Sequence, residues 1–137
     1  MQKVPEAERN IQTVHEINLK QNEIFVRTLE WMAQIFNDSK SVVEISDREN
    51  GKIIGKGITD ITHLIINIPC QFTMIVEVKD GKYRTSYNNF IGMWGEYKND
   101  PRPVEYQKDV EALKIKLTEM DNNLFSYLSS AKVKENW

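Results

Sequence analysis

Residues 72–90 constrain the fold of this chain more than any other stretch. Phe72, Met74, Val76 and Val78 alternate with Thr73, Ile75, Glu77 and Lys79. A period of two lets a strand bury one side and wet the other. Asp80-Gly81 follows at once, and 82–90 alternates again. Such a two-residue turn joins antiparallel strands, because Gly and Asp tolerate the positive φ it requires. The turn sets a register: Val78 opposite Tyr83, Glu77 opposite Arg84, Val76 opposite Thr85 and Met74 opposite Tyr87. The apolar set then shares one face and the Glu77–Arg84 pair takes the other, whereas a slip of one residue would mix the faces.

The flanking patterns extend this hairpin into a domain. Residues 11–19 suggest a short strand. Phe25, Leu29, Met32 and Phe36, widened by Ile24, Trp31 and Ile35, recur at helical spacing and form a core stripe rather than a cofactor box. Asn22 is placed to cap this helix and Asn37-Asp38-Ser39 to stop it. Residues 41–47 and 52–61 alternate around a turn at Asn50-Gly51. A two-residue loop there would aim Lys56 inward. A three-residue loop, Glu49-Asn50-Gly51 with Gly51 left-handed, sets Ile45 opposite Gly55 and Glu44 opposite Lys56. It also leaves Gly55 and Gly57 as room for a helix. Residues 62–70 read as an apolar connection, and 92–106, with two Gly and two Pro, as a loop. From about Val104 a second helix carries Val110, Leu113, Leu117, Met120, Leu124 and Leu128 on one seam. The order is strand, helix, four strands, helix. Residues 1–10 form a flexible polar lead-in, and residues 11–137 a single α+β domain, a curved antiparallel sheet with two helices on one face. A chain of 137 residues can bury one sizeable core.

Chemistry-bearing patterns are few. Gly51-Lys52-Ile53-Ile54-Gly55-Lys56-Gly57 differs from a phosphate loop: three residues separate its first two glycines, Gly57 follows the Lys, and the segment alternates like a strand. His15 and His63 lie far apart without metal-ligand spacing, and one Cys, Cys70, provides neither a disulfide nor a zinc cluster. Cys70 with a histidine could make a nucleophile, but a free Cys is more often a buried inert thiol. Glu44, Asp47, Glu77 and Asp80 are strand or turn acids with no spacing that pairs two of them as acid and base. Asn37-Asp38-Ser39 matches a glycosylation triplet and is read as the helix terminus. No catalytic, cofactor-binding or metal-ligating residue is assigned. The 18 Lys+Arg against 20 Asp+Glu give a net charge of -2, which disfavours a nucleic-acid partner. No run of about 18 apolar residues marks a transmembrane segment. The polar first ten residues lack the apolar centre of a secretory signal, which leaves a cytoplasmic protein or a mature exported one.

Trp31 and Phe36, the run Ser39-Lys40-Ser41-Val42-Val43, Asp47 with Gly51-Lys52-Ile53-Ile54-Gly55-Lys56-Gly57, and Val78-Lys79-Asp80-Gly81-Lys82-Tyr83-Arg84 together resemble a bacterial family. It is the domain of unknown function 4468 (DUF4468), with a TATA-box-binding-protein-like (TBP-like) fold. The resemblance covers roughly residues 12 to 90 in motif. It implies a β-α-β(4)-α unit, and members that look like secreted, periplasmic or lipid-anchored proteins of Bacteroidetes-type bacteria. The fold analogy does not carry DNA binding with it.

These observations lead to an expected role as a non-catalytic binding or accessory module of the cell envelope, its partner a protein or another envelope component. The alternatives are an enzyme whose site assembles from residues distant in sequence, and a nucleic-acid binder using the free sheet face. Trp94 and Tyr97 are the candidate partner contacts, since aromatics with a polar tip bring large contact area at low entropy cost. The competing reading folds Trp94 back to close the core beneath the second helix.

Overall fold

The structure, a computed structural model, describes residues 2–36 and 41–130. The Asp80-Gly81 turn organises it. The strands it joins, β4 (Ile66–Lys79) and β5 (Lys82–Trp94), pair Val78 with Tyr83, Glu77 with Arg84, Val76 with Thr85 and Met74 with Tyr87, as the alternation requires. Gly81 supplies the left-handed residue at φ +80, while Asp80 keeps a negative φ. Its carboxylate has another task. Asp80 Oδ1 accepts the Gln21 backbone N–H at 2.7 Å, at the start of α1 (Gln21–Ile35). The helix therefore begins one residue before Asn22, and its cap comes from a turn 59 residues away instead of from Asn22. The stop read at residues 37–39 lies outside the described residues.

Among the described residues six strands form one antiparallel sheet in the order β1-β5-β4-β3-β2, with β6 also on β5. Here β1 is Ile11–Glu16, β2 Val42–Asp47, β3 Lys52–His63 and β6 Asp100–Pro103. Two sequence expectations are corrected. The 62–70 connection is strand: β3 and β4 run past it in continuous register to His63 opposite Ile66. The 92–106 loop contains the end of β5, the turn 95–99 and β6, whose two prolines sit on a short strand with one neighbour. The first correction has a clear cause. The β3–β4 turn is Leu64-Ile65, with none of the Gly, Asn, Asp or Pro that mark a turn, and Leu64 takes φ +57 itself.

A bulge at Asn89 (φ +54) shifts β5 by one residue. Tyr83, Thr85 and Tyr87 point inward before it, Phe90 and Gly92 after it. It falls where the neighbour of β5 changes from β1 to β6. The β2–β3 turn also departs from expectation. Asp47 accepts from the Asn50 backbone and side chain at 3.2 and 2.8 Å, which draws Arg48 into a four-residue loop. Those bonds hold the Asp47 carboxyl below its ordinary range. Ile45 therefore faces Ile54 rather than Gly55, and Val42 rather than Glu44 faces Lys56 after a bulge at Glu44. Gly51 is left-handed (φ +64) and Lys56 points to solvent, both as expected, and Glu44 still reaches Lys56 at 3.2 Å.

The core lies between the inner sheet face and two helices. α1 buries Ile24, Phe25, Thr28, Trp31 and Met32. α2 (Gln107–Ser129) starts three residues later than read, and buries Val110, Leu113, Leu117, Leu124 and Leu128. Gly55 makes room for α1: a β-carbon there would lie 2.8 Å from Met32 Cε. Gly57 makes room for the Phe72 ring instead of a helix, at 2.5 Å. The segment before β1 is tied to the start of α2. The Val4 N–H bonds to the Glu105 carbonyl at 2.7 Å, and the Gln107 N–H to the Gln2 carbonyl at 2.9 Å.

Candidate functional site

Two hairpins project from the same end of the sheet. The β3–β4 turn exposes Leu64 by 76% and Ile65 by 95%, with Ile66 48% exposed behind them. Beside it lies the β5–β6 turn, where Gly95 (φ +89) and Lys98 (φ +53) bend the chain and the Lys98 N–H bonds to the Gly95 carbonyl at 3.1 Å. The register of β4 with β5, Cys70 opposite Gly92, sets the two turns side by side. Tyr97 crowns the second turn at 79% exposure. Trp94 lies at its base, half-buried. Its indole rests over Gly92, where a β-carbon would come within 2.9 Å of Nε1, and meets the His63 ring edge-on with centroids 4.9 Å apart. The structure thus puts the two candidate contact residues on one hairpin, Tyr97 in solvent and Trp94 closing the rim of the core.

Behind Trp94 a cleft of about 200 Å³ opens between the hairpin base and the first turn of α2, lined by His63, Trp94, Arg102, Tyr106 and Asp109 among others. The Asp109 carboxylate lies 2.8 and 3.0 Å from His63 Nδ1. A carboxylate on one ring nitrogen fixes the imidazole's orientation and leaves Nε2 for another partner. Cys70 lies in the core nearby, fully buried. Burial, with the Asp109 and Asp60 carboxylates adding to it, pushes its thiol up to about 12, which suppresses the thiolate.

The second histidine is tied to the same helix differently. His15 Nε2 lies 2.7 Å from Asp121 Oδ2, and the Tyr87 hydroxyl donates to Asp121 Oδ1 at 2.8 Å. His15 stacks on Tyr83 at 4.8 Å and leans on Phe125 at 5.4 Å. Burial and the Asp121 charge push both tyrosines above their ordinary range. At 3.6 residues per turn, Asp109 and Asp121 flank the apolar seam of α2 on opposite sides. The helix is therefore pinned to β3 through one histidine and to β1 through the other. His15 has its ring faces covered and its carboxylate shared, a structural tie. His63 borders a cleft. Among the described residues no three of His, Cys, Asp and Glu gather as a metal site.

The free sheet face carries a row of alternating charge, Lys52 opposite Glu77 and Glu77 opposite Arg84, the last pair at 2.9 Å. No helix among the described residues is long and apolar enough to cross a membrane. Sequence reasoning named Trp94 and Tyr97 as candidates and did not place Leu64, Ile65, His63 and Asp109 beside that hairpin. The signal for Leu64-Ile65 was present: the inward set of β3 ends at Ile61 and that of β4 begins at Ile68, so a turn belongs midway between them.

Comparison with solved structures confirms the architecture. A TBP-like protein from Parabacteroides distasonis ATCC 8503 superposes with a TM-score of 0.71 at 12% identity, over 87% of this chain and 91% of that one. A DUF4468 family protein from Bacteroides ovatus ATCC 8483 gives 0.63 at 14%, over 93% and 89%. At these identities the likeness shows the fold alone. A search of curated proteins finds no match. The family model for the domain of unknown function DUF4468 with TBP-like fold matches residues 12–91, more than half of the sequence, and the chain accordingly belongs to that family.

Proposed function

We propose that this protein is a non-catalytic binding module of the bacterial cell envelope, and that it engages its partner through the two-hairpin end of the sheet. The observation that carries this reading is the exposure of Leu64, Ile65 and Tyr97 on adjacent turns, above the half-buried Trp94. Apolar side chains on a turn serve no packing purpose in the isolated domain, and contiguous exposed apolar surface marks interaction sites. The test is a photo-crosslinking amino acid at Tyr97, compared with one at Val14 on the free sheet face and one at Ile115 on α2, all exposed positions. Adducts formed in cells from position 97 and not from the other two support the reading. Adducts from position 14 or 115 alone overturn it.

The His63–Asp109 pair beside a cleft favours a second reading, an enzyme whose site joins residues distant in sequence. The imidazole Nε2 would act as a base on a small substrate held against Trp94. A His63→Gln variant that folds normally and loses turnover against a panel of small esters and amides would support it.

A further inference from the structure

The β3–β4 hairpin is built against its own stability. Leu64 holds φ +57, a conformation an L side chain with a Cβ adopts at a cost, and Ile65 stands 95% in water beside it. Gly-Ser would make the same two-residue turn without strain and without exposed hydrocarbon. A strained, aliphatic turn at an extremity points to a use for the side chains themselves. Three features of the tip define what meets it. It is convex, so the occupant has to close around it. It is small, with Leu64, Ile65, Ile66 and Tyr97 as its large exposed apolar residues. A stable protein interface takes about 20–30 residues a side, so two copies meeting tip to tip would bury too little. It also carries aromatics: Tyr97 stands exposed on the neighbouring turn with Trp94 at that turn's base, the residue types that settle where hydrocarbon meets headgroups. Neither sign of charge prevails there: Glu96 and Lys98 flank Tyr97, both exposed and opposite in sign, and Arg102 pairs with Asp100 at 2.8 Å.

We infer that the Leu64-Ile65 turn inserts into the interfacial zone of a phospholipid bilayer, with the exposed Tyr97 beside it. The bilayer is then the partner, or part of the partner, in the binding reading above, on which this inference rests. Insertion is driven by hydrocarbon, so neutral vesicles suffice.

The test is flotation of the full-length chain with vesicles of phosphatidylcholine alone, and of phosphatidylcholine mixed with phosphatidylglycerol. Wild type floats with both. Leu64→Gly/Ile65→Ser lowers the partition coefficient at least about tenfold, which burial of two methylenes already supplies, while its thermal melt stays equal or rises. An Ile65→Cys chain labelled with an environment-sensitive fluorophore reports the insertion directly, since the buried Cys70 stays unlabelled. Failure of wild type to float with either vesicle overturns the inference. Flotation that needs phosphatidylglycerol, or that the double variant retains, overturns it as well, as does a wild-type dimer that the double variant abolishes. Protein adducts from position 97 without flotation would leave the binding reading standing and remove the bilayer from it.

Discussion

Replacing Gly57 by Ala probes how tightly the centre of the sheet is filled. A β-carbon there would lie 2.5 Å from Phe72 Cζ and 3.1 Å from Cε1 and Cε2, where ordinary contact begins near 3.4 Å. The ring has little room to retreat. Phe72 is 1% exposed, with Phe36 edge-on at 6.2 Å and Tyr87 at 6.0 Å between ring centroids. Forcing a carbon into such a site destabilises by about 1–3 kcal/mol. The lower entropy of an unfolded chain with Ala in place of Gly returns about 0.4–1 kcal/mol. The central values leave a net loss of about 1.3 kcal/mol, and for a domain of this size the melting temperature falls by roughly 4–6 °C. Circular dichroism during heating and urea titration measures both. The decisive arm is a cycle with Phe72→Leu. That change removes the obstructing ring at the expense of a cavity, so the double variant should be more stable than the sum of the singles by about 1 kcal/mol. A Gly57→Ala chain as stable as wild type, or strict additivity with Phe72→Leu, would falsify the account of Gly57 as space for a ring.

Four further outcomes follow from the same geometry. Asp121→Ala strands the buried Tyr87 hydroxyl and removes the partner of His15, and should lower stability by about 2–4 kcal/mol in urea titration, with Asp121→Asn distinctly milder because an acceptor remains. Asp80→Ala removes the acceptor at the start of α1 and should destabilise by about 1 kcal/mol, whereas Asp80→Asn should restore most of it. A Glu77→Ala and Arg84→Ala cycle should show a coupling below about 1 kcal/mol, since the pair sits in solvent. Cys70 should resist a thiol reagent at pH 8 in the native state and react fully in guanidinium. Its folded pKa is raised from an ordinary value near 9 to about 12, so its contribution to stability is complete below pH 9 and is lost as pH climbs from 9 towards 12. Native stability that rises over that window in the wild type relative to Cys70→Ala would refute the assignment.

Elements whose information is local are legible in the amino-acid sequence. The alternation at 72–90 around Asp80-Gly81 dictates a strand pair and its register, because a two-residue turn leaves no freedom to slip while one face is apolar. The 3–4 spacing of Leu113, Leu117, Leu124 and Leu128 dictates a helix and its buried side for the same reason. Features that join distant residues emerge only when the chain is folded. The Asp80 carboxylate caps α1 and the Gln2 carbonyl receives the first N–H of α2, so neither helix start is marked by a neighbouring capping residue. The turn at Leu64-Ile65 forms because β3 and β4 pair in register up to His63 and Ile66, and that pairing overrides the preference of Leu for negative φ. The end of the sheet became a candidate site for the same reason. Leu64, Trp94, Tyr97 and Asp109 belong to three separate segments, and only strand pairing and the seating of α2 against His63 bring them to one place.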